Sequence, residues 1–182
     1  IAGVEEEEQP EPAEKPSSPD TPLSPQCLII GPDIKSPENL GLVFRSAAAL
    51  GASGILLGTS GCDPLSRRAL RLSMGATLQV PYMITDSLPD VAKTLQREHH
   101  FETVGTVLGE RAVVLNEFHW PRRAAIVVGN EYFGLDDAWQ SQCDHLVTIP
   151  MHGGTDSLNL AVATGITLYD FRTKHIPPTQ NR

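Results

Sequence analysis

An α/β fold in one domain is the architecture this 182-residue sequence predicts, and three observations predict it. From Cys27 onward, short apolar runs alternate with amphipathic stretches, the pattern of a sheet with helices on its faces. The chain is 40% hydrophobic, enough to fill a core at this length. Helix punctuation stands where the alternation needs it: Ser36-Pro37 supplies a cap and a first helical residue, and Gly51 a stop. In chain order the pattern gives a strand near 27–31, a helix near 38–50, a strand near 54–58 and a helix near 65–73. A weaker strand near 78–82 precedes a helix near 87–98 and a strand near 102–107. A strand near 124–129, a helix near 135–141, a strand near 146–149 and a helix near 157–173 complete the series. No internal repeat is visible.

Three parts are expected: an acidic, proline-rich linker over 1–26, a folded domain over 27–175 and a short tail over 176–182. The linker holds six prolines and seven acids against Lys15, a composition that buries too little apolar surface to offset chain entropy. It carries −6 of the net charge of −8, so the rest is nearly neutral. Cys27, Cys62 and Cys143 lie far apart without a Cys-x-x-Cys spacing, and the six histidines show no ligand spacing, so no metal or disulfide framework is predicted. No apolar run has the length of a membrane span, and the acidic start is unlike a signal peptide. A soluble, cytoplasmic protein without membrane contact is the expectation.

The candidate site lies in the last quarter. Ile149-Pro150-Met151-His152-Gly153-Gly154-Thr155-Asp156-Ser157-Leu158-Asn159 reads as a strand end, a glycine-containing loop and a helix mouth opened by Ser157 and Asn159, where unpaired backbone donors collect ligands. The strand ends near Thr106-Val107 and Val128-Gly129 are further candidates, because α/β proteins gather ligands at the carboxyl ends of strands. A dinucleotide-type G-x-G-x-x-G after a strand does not occur. Arg45 stands out in a helix of apolar or small residues; a transition-state charge and an ion pair with a carboxylate such as Glu131 both account for it. Asn39, six residues earlier, falls on another face, and either caps the helix or reaches a ligand. Arg67 and Arg71 share a helix face that either meets phosphates or is simply solvated.

Together with Asn39 to Gly51 and the stretch Ile126-Val127-Val128-Gly129-Asn130-Glu131-Tyr132-Phe133-Gly134-Leu135, that last segment resembles, in order, the motif set of the SpoU RNA 2′-O-ribose methyltransferases. The resemblance runs from about Cys27 to Arg172. It implies the SPOUT α/β-knot, a mostly parallel sheet flanked by helices with a trefoil knot formed by residues 126–171. It implies S-adenosylmethionine as cofactor, held by Thr106, Val107, Gly129, Asn130, Ile149, Met151, Ser157, Leu158 and Asn159, without metal. Catalysis falls to Arg45, Asn39, Glu131, Ser157 and Asn159. Arginine does not deprotonate readily, so Arg45 is read as holding phosphate and stabilising the developing alkoxide. Arg67, Arg68 and Arg71 would face RNA, ribosomal in preference to transfer RNA. A homodimer over helix 38–50 and Leu160, Val162, Ile166 and Leu168 is implied, as is an N-terminal RNA-binding domain in the full-length protein. The rival readings are a non-catalytic RNA-binding or ribosome-assembly module with the same fold, and an unrelated nucleotide-binding α/β protein.

Overall fold

A computed structural model describes residues 24–109, 111–153 and 157–175. The linker expected over 1–26 and the tail over 176–182 lie almost wholly outside these residues. Seven strands form one sheet in the order β3-β2-β1-β6-β4-β7-β5, every pairing parallel. The strands are β1 (Gln26–Gly31), β2 (Gly54–Gly58), β3 (Tyr82–Thr85), β4 (Glu102–Thr106), β5 (Val113–Val114), β6 (Arg123–Val127) and β7 (His145–Thr148). The helices are α1 (Pro37–Leu50), α2 (Arg67–Leu72), α3 (Leu88–His99), α4 (Asp137–Gln142) and α5 (Leu160–His175).

A parallel sheet covered on both faces needs strands that are apolar on both sides, and β6, at its centre, is buried from Ala124 to Val127. Strand periodicity then sorts the side chains. Ile29, Val104, Ile126 and Val147 pack with Val43, Phe44 and Ala47 of α1 and with Leu168 and Phe171 of α5. Ile30, Leu56, Ala125 and Val127 face the other way, toward Leu88 and Ala92 of α3 and Trp139 of α4.

The expected caps of α1 are present: the Ser36 hydroxyl accepts from Asn39 N, Pro37 opens the helix, and Gly51 closes it at φ 74°. Helix α2 lies close against α1 at Gly41, where an added Cβ would stand 2.8 Å from the Ala69 carbonyl oxygen. The C-terminal end of α5 is tied down twice. The Trp120 indole donates to Asp170 at 2.8 Å, and the Lys174 ammonium donates to the carbonyls of Leu115, Asn116 and Phe118.

Two expected elements are displaced and one strand is added. The strand placed at 78–82 lies at 82–85, because Gly75 turns the chain at φ 83° into a short 3₁₀ helix at Ala76–Leu78. Pro81 then directs its carbonyl to Ile55 N, and the strand begins after it. The last helix starts at Leu160 rather than Ser157: Asn159 is its cap, accepting from Ala161 N and Val162 N at 2.9 and 3.3 Å. The short β5 was not expected; two residues carry no periodicity.

Candidate active site

The loops after β4, β6 and β7 meet at the carboxyl edge of the sheet and enclose a cavity of about 500 Å3. This volume lies within the roughly 300–1,000 Å3 usual for small-molecule sites. All nine residues expected to hold a cofactor line it. Thr106 and Val107 contribute from the end of β4, Gly129 and Asn130 from the loop after β6, and Ile149, Met151, Ser157, Leu158 and Asn159 from the segment after β7. Leu108, Leu135 and Gln140 line it too. Leu135 is foreshadowed by the glycine before it, whereas nothing in the sequence marks Gln140, which is brought in by its bond to the Leu135 carbonyl at 2.6 Å.

The loop after β6 is a closed turn. Asn130 and Gly134 exchange backbone hydrogen bonds of 2.7 and 2.9 Å, and the Asn130 side chain accepts from Tyr132 N while donating to the Asp33 carbonyl at 3.0 Å. Gly129 is required for this closure, since a Cβ there would stand 2.2 Å from the carbonyl carbon of Gly134.

Four of the five residues proposed for catalysis line the cavity, and three of them are bonded to one another. Glu131 accepts from Asn39 Nδ2 at 3.0 Å, from Ser36 N at 3.0 Å and from Lys35 N at 3.2 Å. Asn39 Oδ1 in turn accepts from Asn159 Nδ2 at 2.8 Å. Asn39, only 7% exposed, therefore spends its side chain between Glu131 and Asn159; Ser36, not Asn39, caps α1. Burial pushes the Glu131 carboxyl up, but the bonds from Ser36, Asn39 and Lys35 outweigh it and hold the group below the ordinary carboxylate value.

Arg45 is the exception. It is exposed, does not line the cavity, and has neither a hydrogen bond nor an ion pair among the described residues. The alternative pairing with Glu131 is therefore absent, because the backbone amides of Lys35 and Ser36 and the Asn39 side chain occupy that carboxylate. Arg67 and Arg71 are exposed on α2, away from the cavity, while Arg68 pairs with Glu38. No group of three or more potential metal-binding side chains occurs among the described residues. No described helix is long and apolar enough to cross a membrane.

The dimer face expected on α1 and α5 is an open apolar groove lined by Leu42, Ser46, Ala161, Val162, Gly165, Ile166 and Tyr169. Leu168 is not part of it, being 1% exposed in the core, and Leu160 packs against that core.

A parallel sheet whose three adjacent carboxyl ends carry these loops places the chain in a class, and comparison with known proteins agrees. The SpoU rRNA Methylase family matches residues 26–169, and the chain belongs to that family. It is 33% identical over 146 residues to the 23S rRNA (guanosine-2′-O-)-methyltransferase RlmB of Acinetobacter baylyi, covering 80% of this chain and 59% of that protein. The crystal structure of an AdoMet-bound rRNA methyltransferase from Sinorhizobium meliloti superposes with a TM-score of 0.77 at 31% identity, over 86% of this chain and 60% of that one. AviRb of Streptomyces viridochromogenes in complex with AdoMet gives 0.77 at 28% identity, over 87% and 64%. The chain thus spans about 60% of the RlmB relative.

Proposed function

We propose that this chain is the catalytic domain of an enzyme that transfers a methyl group from S-adenosylmethionine to a ribose 2′-hydroxyl of RNA, ribosomal RNA in particular. The observation that carries the reading is the bonded series Glu131, Asn39, Asn159, which fastens the three motif segments around a single cavity. The preference for ribosomal RNA rests on RlmB and on the rRNA methyltransferase among the similar structures. A cytoplasmic location and a tethered N-terminal RNA-binding domain belong to the same reading, as does the trefoil knot over residues 126–171.

The cavity suits the cofactor: Leu108, Leu135, Ile149 and Leu158 offer apolar walls for an adenine, and Thr106, Ser157 and Asn159 offer polar groups for the rest. Bound there, S-adenosylmethionine supplies an electrophilic methyl group. The chain has to align the ribose hydroxyl with it and help that hydroxyl lose its proton. Asn39 and Glu131 fix Asn159, and through it the mouth of α5, so that Ser157 and Asn159 face the cavity in one arrangement. Arg45 supplies the positive charge that favours the alkoxide. Because it lies on α1 next to Ser46 of the groove and outside its own cavity wall, we propose that it serves the second protomer of a homodimer closed over that groove.

Two experiments test this. Calorimetry in the presence of chelator should show S-adenosylmethionine binding at roughly micromolar strength; no binding by a folded chain would remove the reading. Ribosomal RNA from cells lacking the gene, compared by ribose-methylation mapping with RNA from complemented cells, should lose a 2′-O-methyl mark; transfer RNA losing one instead would redirect the substrate.

A further inference from the structure

Tyr132 and Phe133 are 80% and 90% exposed, the two most exposed large hydrophobic side chains among the described residues. They stand side by side at the rim of the cavity, ring centroids 6.4 Å apart and planes tilted by 54°. The other phenylalanines and both tryptophans of the chain are buried. Leaving two rings in water forfeits their burial energy, and a monomeric fold gains nothing from it.

The turn that carries them is rigid. Asn130 and Gly134 close it from both sides, Tyr132 N donates to Asn130 Oδ1 at 2.8 Å, and Asn130 is anchored to Asp33. Rings held on such a support lose little freedom when something stacks on them, which is the condition under which an aromatic contact adds affinity. The cavity walls, meanwhile, include no lysine or arginine among the described residues. Within one chain, recognition at the mouth therefore falls to aromatic faces and hydrogen bonds, and side-chain charge there comes from Arg45 of the second protomer in the proposed dimer.

We infer that Tyr132 and Phe133 form a stacking platform for an unpaired nucleobase of the substrate RNA next to the ribose presented at the cavity. This inference rests on the proposed reaction, which requires an RNA ribose at that mouth. Unstacked bases of single-stranded RNA are bound on aromatic faces with little dependence on sequence, whereas bases stacked inside a duplex are not available to them. The platform therefore selects a nucleotide in a loop, a bulge or an opened helix.

The test uses the full chain and single-stranded oligouridine RNA of about a dozen nucleotides, carrying fluorescein for anisotropy and 4-thiouridine for photocrosslinking. Phe133→Ala and Tyr132→Ala should each weaken oligonucleotide binding by about 5- to 150-fold, the range for loss of one stacked base. Phe133→Trp should keep it, S-adenosylmethionine affinity should be unchanged in all three, and wild-type crosslinks should map to 132–133. A duplex of the same length should bind the Ala variants and the wild type alike. Undiminished oligonucleotide affinity in the double Ala variant, or no oligonucleotide binding by the wild type, overturns the platform. Loss of S-adenosylmethionine affinity with RNA affinity kept overturns it in favour of a cofactor cover, and dissociation of a dimer overturns it in favour of a subunit contact. Failure of the wild type to bind S-adenosylmethionine instead overturns the proposed reaction, so the two readings fall separately.

Discussion

At the scale of single residues, the proposed reaction divides the work of the first motif between Asn39, which holds structure, and Arg45, which supplies charge. Asn39 is buried with both side-chain ends engaged, so Asn39→Ala leaves Glu131 and Asn159 each short of a partner. A loss of about 1–3 kcal/mol in denaturant unfolding is expected, together with weakened cofactor binding. The double variant with Asn159→Ala should lose less than the sum of the single losses, because the two share one bond. Arg45→Ala should leave the melting temperature and S-adenosylmethionine affinity unchanged and reduce methyl transfer by about a hundredfold or more. Arg45→Lys should also be poor, since a point charge does not reproduce a planar fork. Mixed dimers of Arg45→Ala and Asn159→Ala should regain activity if the arginine serves the second protomer; no recovery in verified mixed dimers would assign it to its own. The residue types at these positions were legible in the sequence, and their pairing was not. Six residues along a helix put Asn39 and Arg45 on different faces, but which of them a carboxylate 92 positions beyond Asn39 would meet depends on how the loop after β6 folds back.

At the scale of elements, the turn after β6 and the join between β4 and β7 hold the cavity's shape. Gly129→Ala forces a Cβ into the Gly134 backbone and should cost at least about 2 kcal/mol, read as a lowered denaturation midpoint. Asp144 joins three elements by accepting from Gln96, from Thr103 N and from the Thr103 hydroxyl. Burial pushes its carboxyl up, but these bonds and the neighbouring His145 prevail and hold it below its ordinary value, as at Glu131. Both groups therefore bind protons more weakly folded than unfolded. Their stabilisation is complete above the unfolded carboxylate pKa of about 4 and is lost as pH falls through the folded value. The melting temperature should stay level from neutral pH down to about 5 and drop steeply below about 4, and Asp144→Asn should lower it at neutral pH while flattening that drop. Most elements were legible because a buried parallel strand and a capped helix write their pattern locally: Ser36-Pro37 and Gly51 bracket α1 as read. The strand after α2 was misplaced for a physical reason as well, since the apolar Leu78 and Val80 look strand-like while Gly75 in a left-handed turn commits that stretch to a 3₁₀ turn.

At the scale of the whole molecule, the proposed homodimer closes over the groove between α1 and α5. Val162 and Ile166 are 49% and 38% exposed there, so Val162→Glu with Ile166→Asp should give a folded monomer by light scattering. An unchanged dimer would move the interface elsewhere. Removing residues 1–23 should leave the melting temperature within error, because five prolines and seven acids in that stretch leave it little to pack with, whereas Gln26 has to stay because it pairs with Arg123 in the sheet. If residues 126–171 are knotted, a chain pulled from its ends in a force measurement should extend less than its full contour length. The bond between Asn39 and Asn159 carries one more consequence. It joins residues 120 apart, and the later one stands at the very start of α5. During synthesis every strand of the sheet emerges before that bond can form, so a nascent chain builds its sheet with the ligand pocket still open on one side. On the proposed reading the ability to bind arrives with that bond, and a chain stopped before Asn159 should be inert toward S-adenosylmethionine even where its sheet has formed.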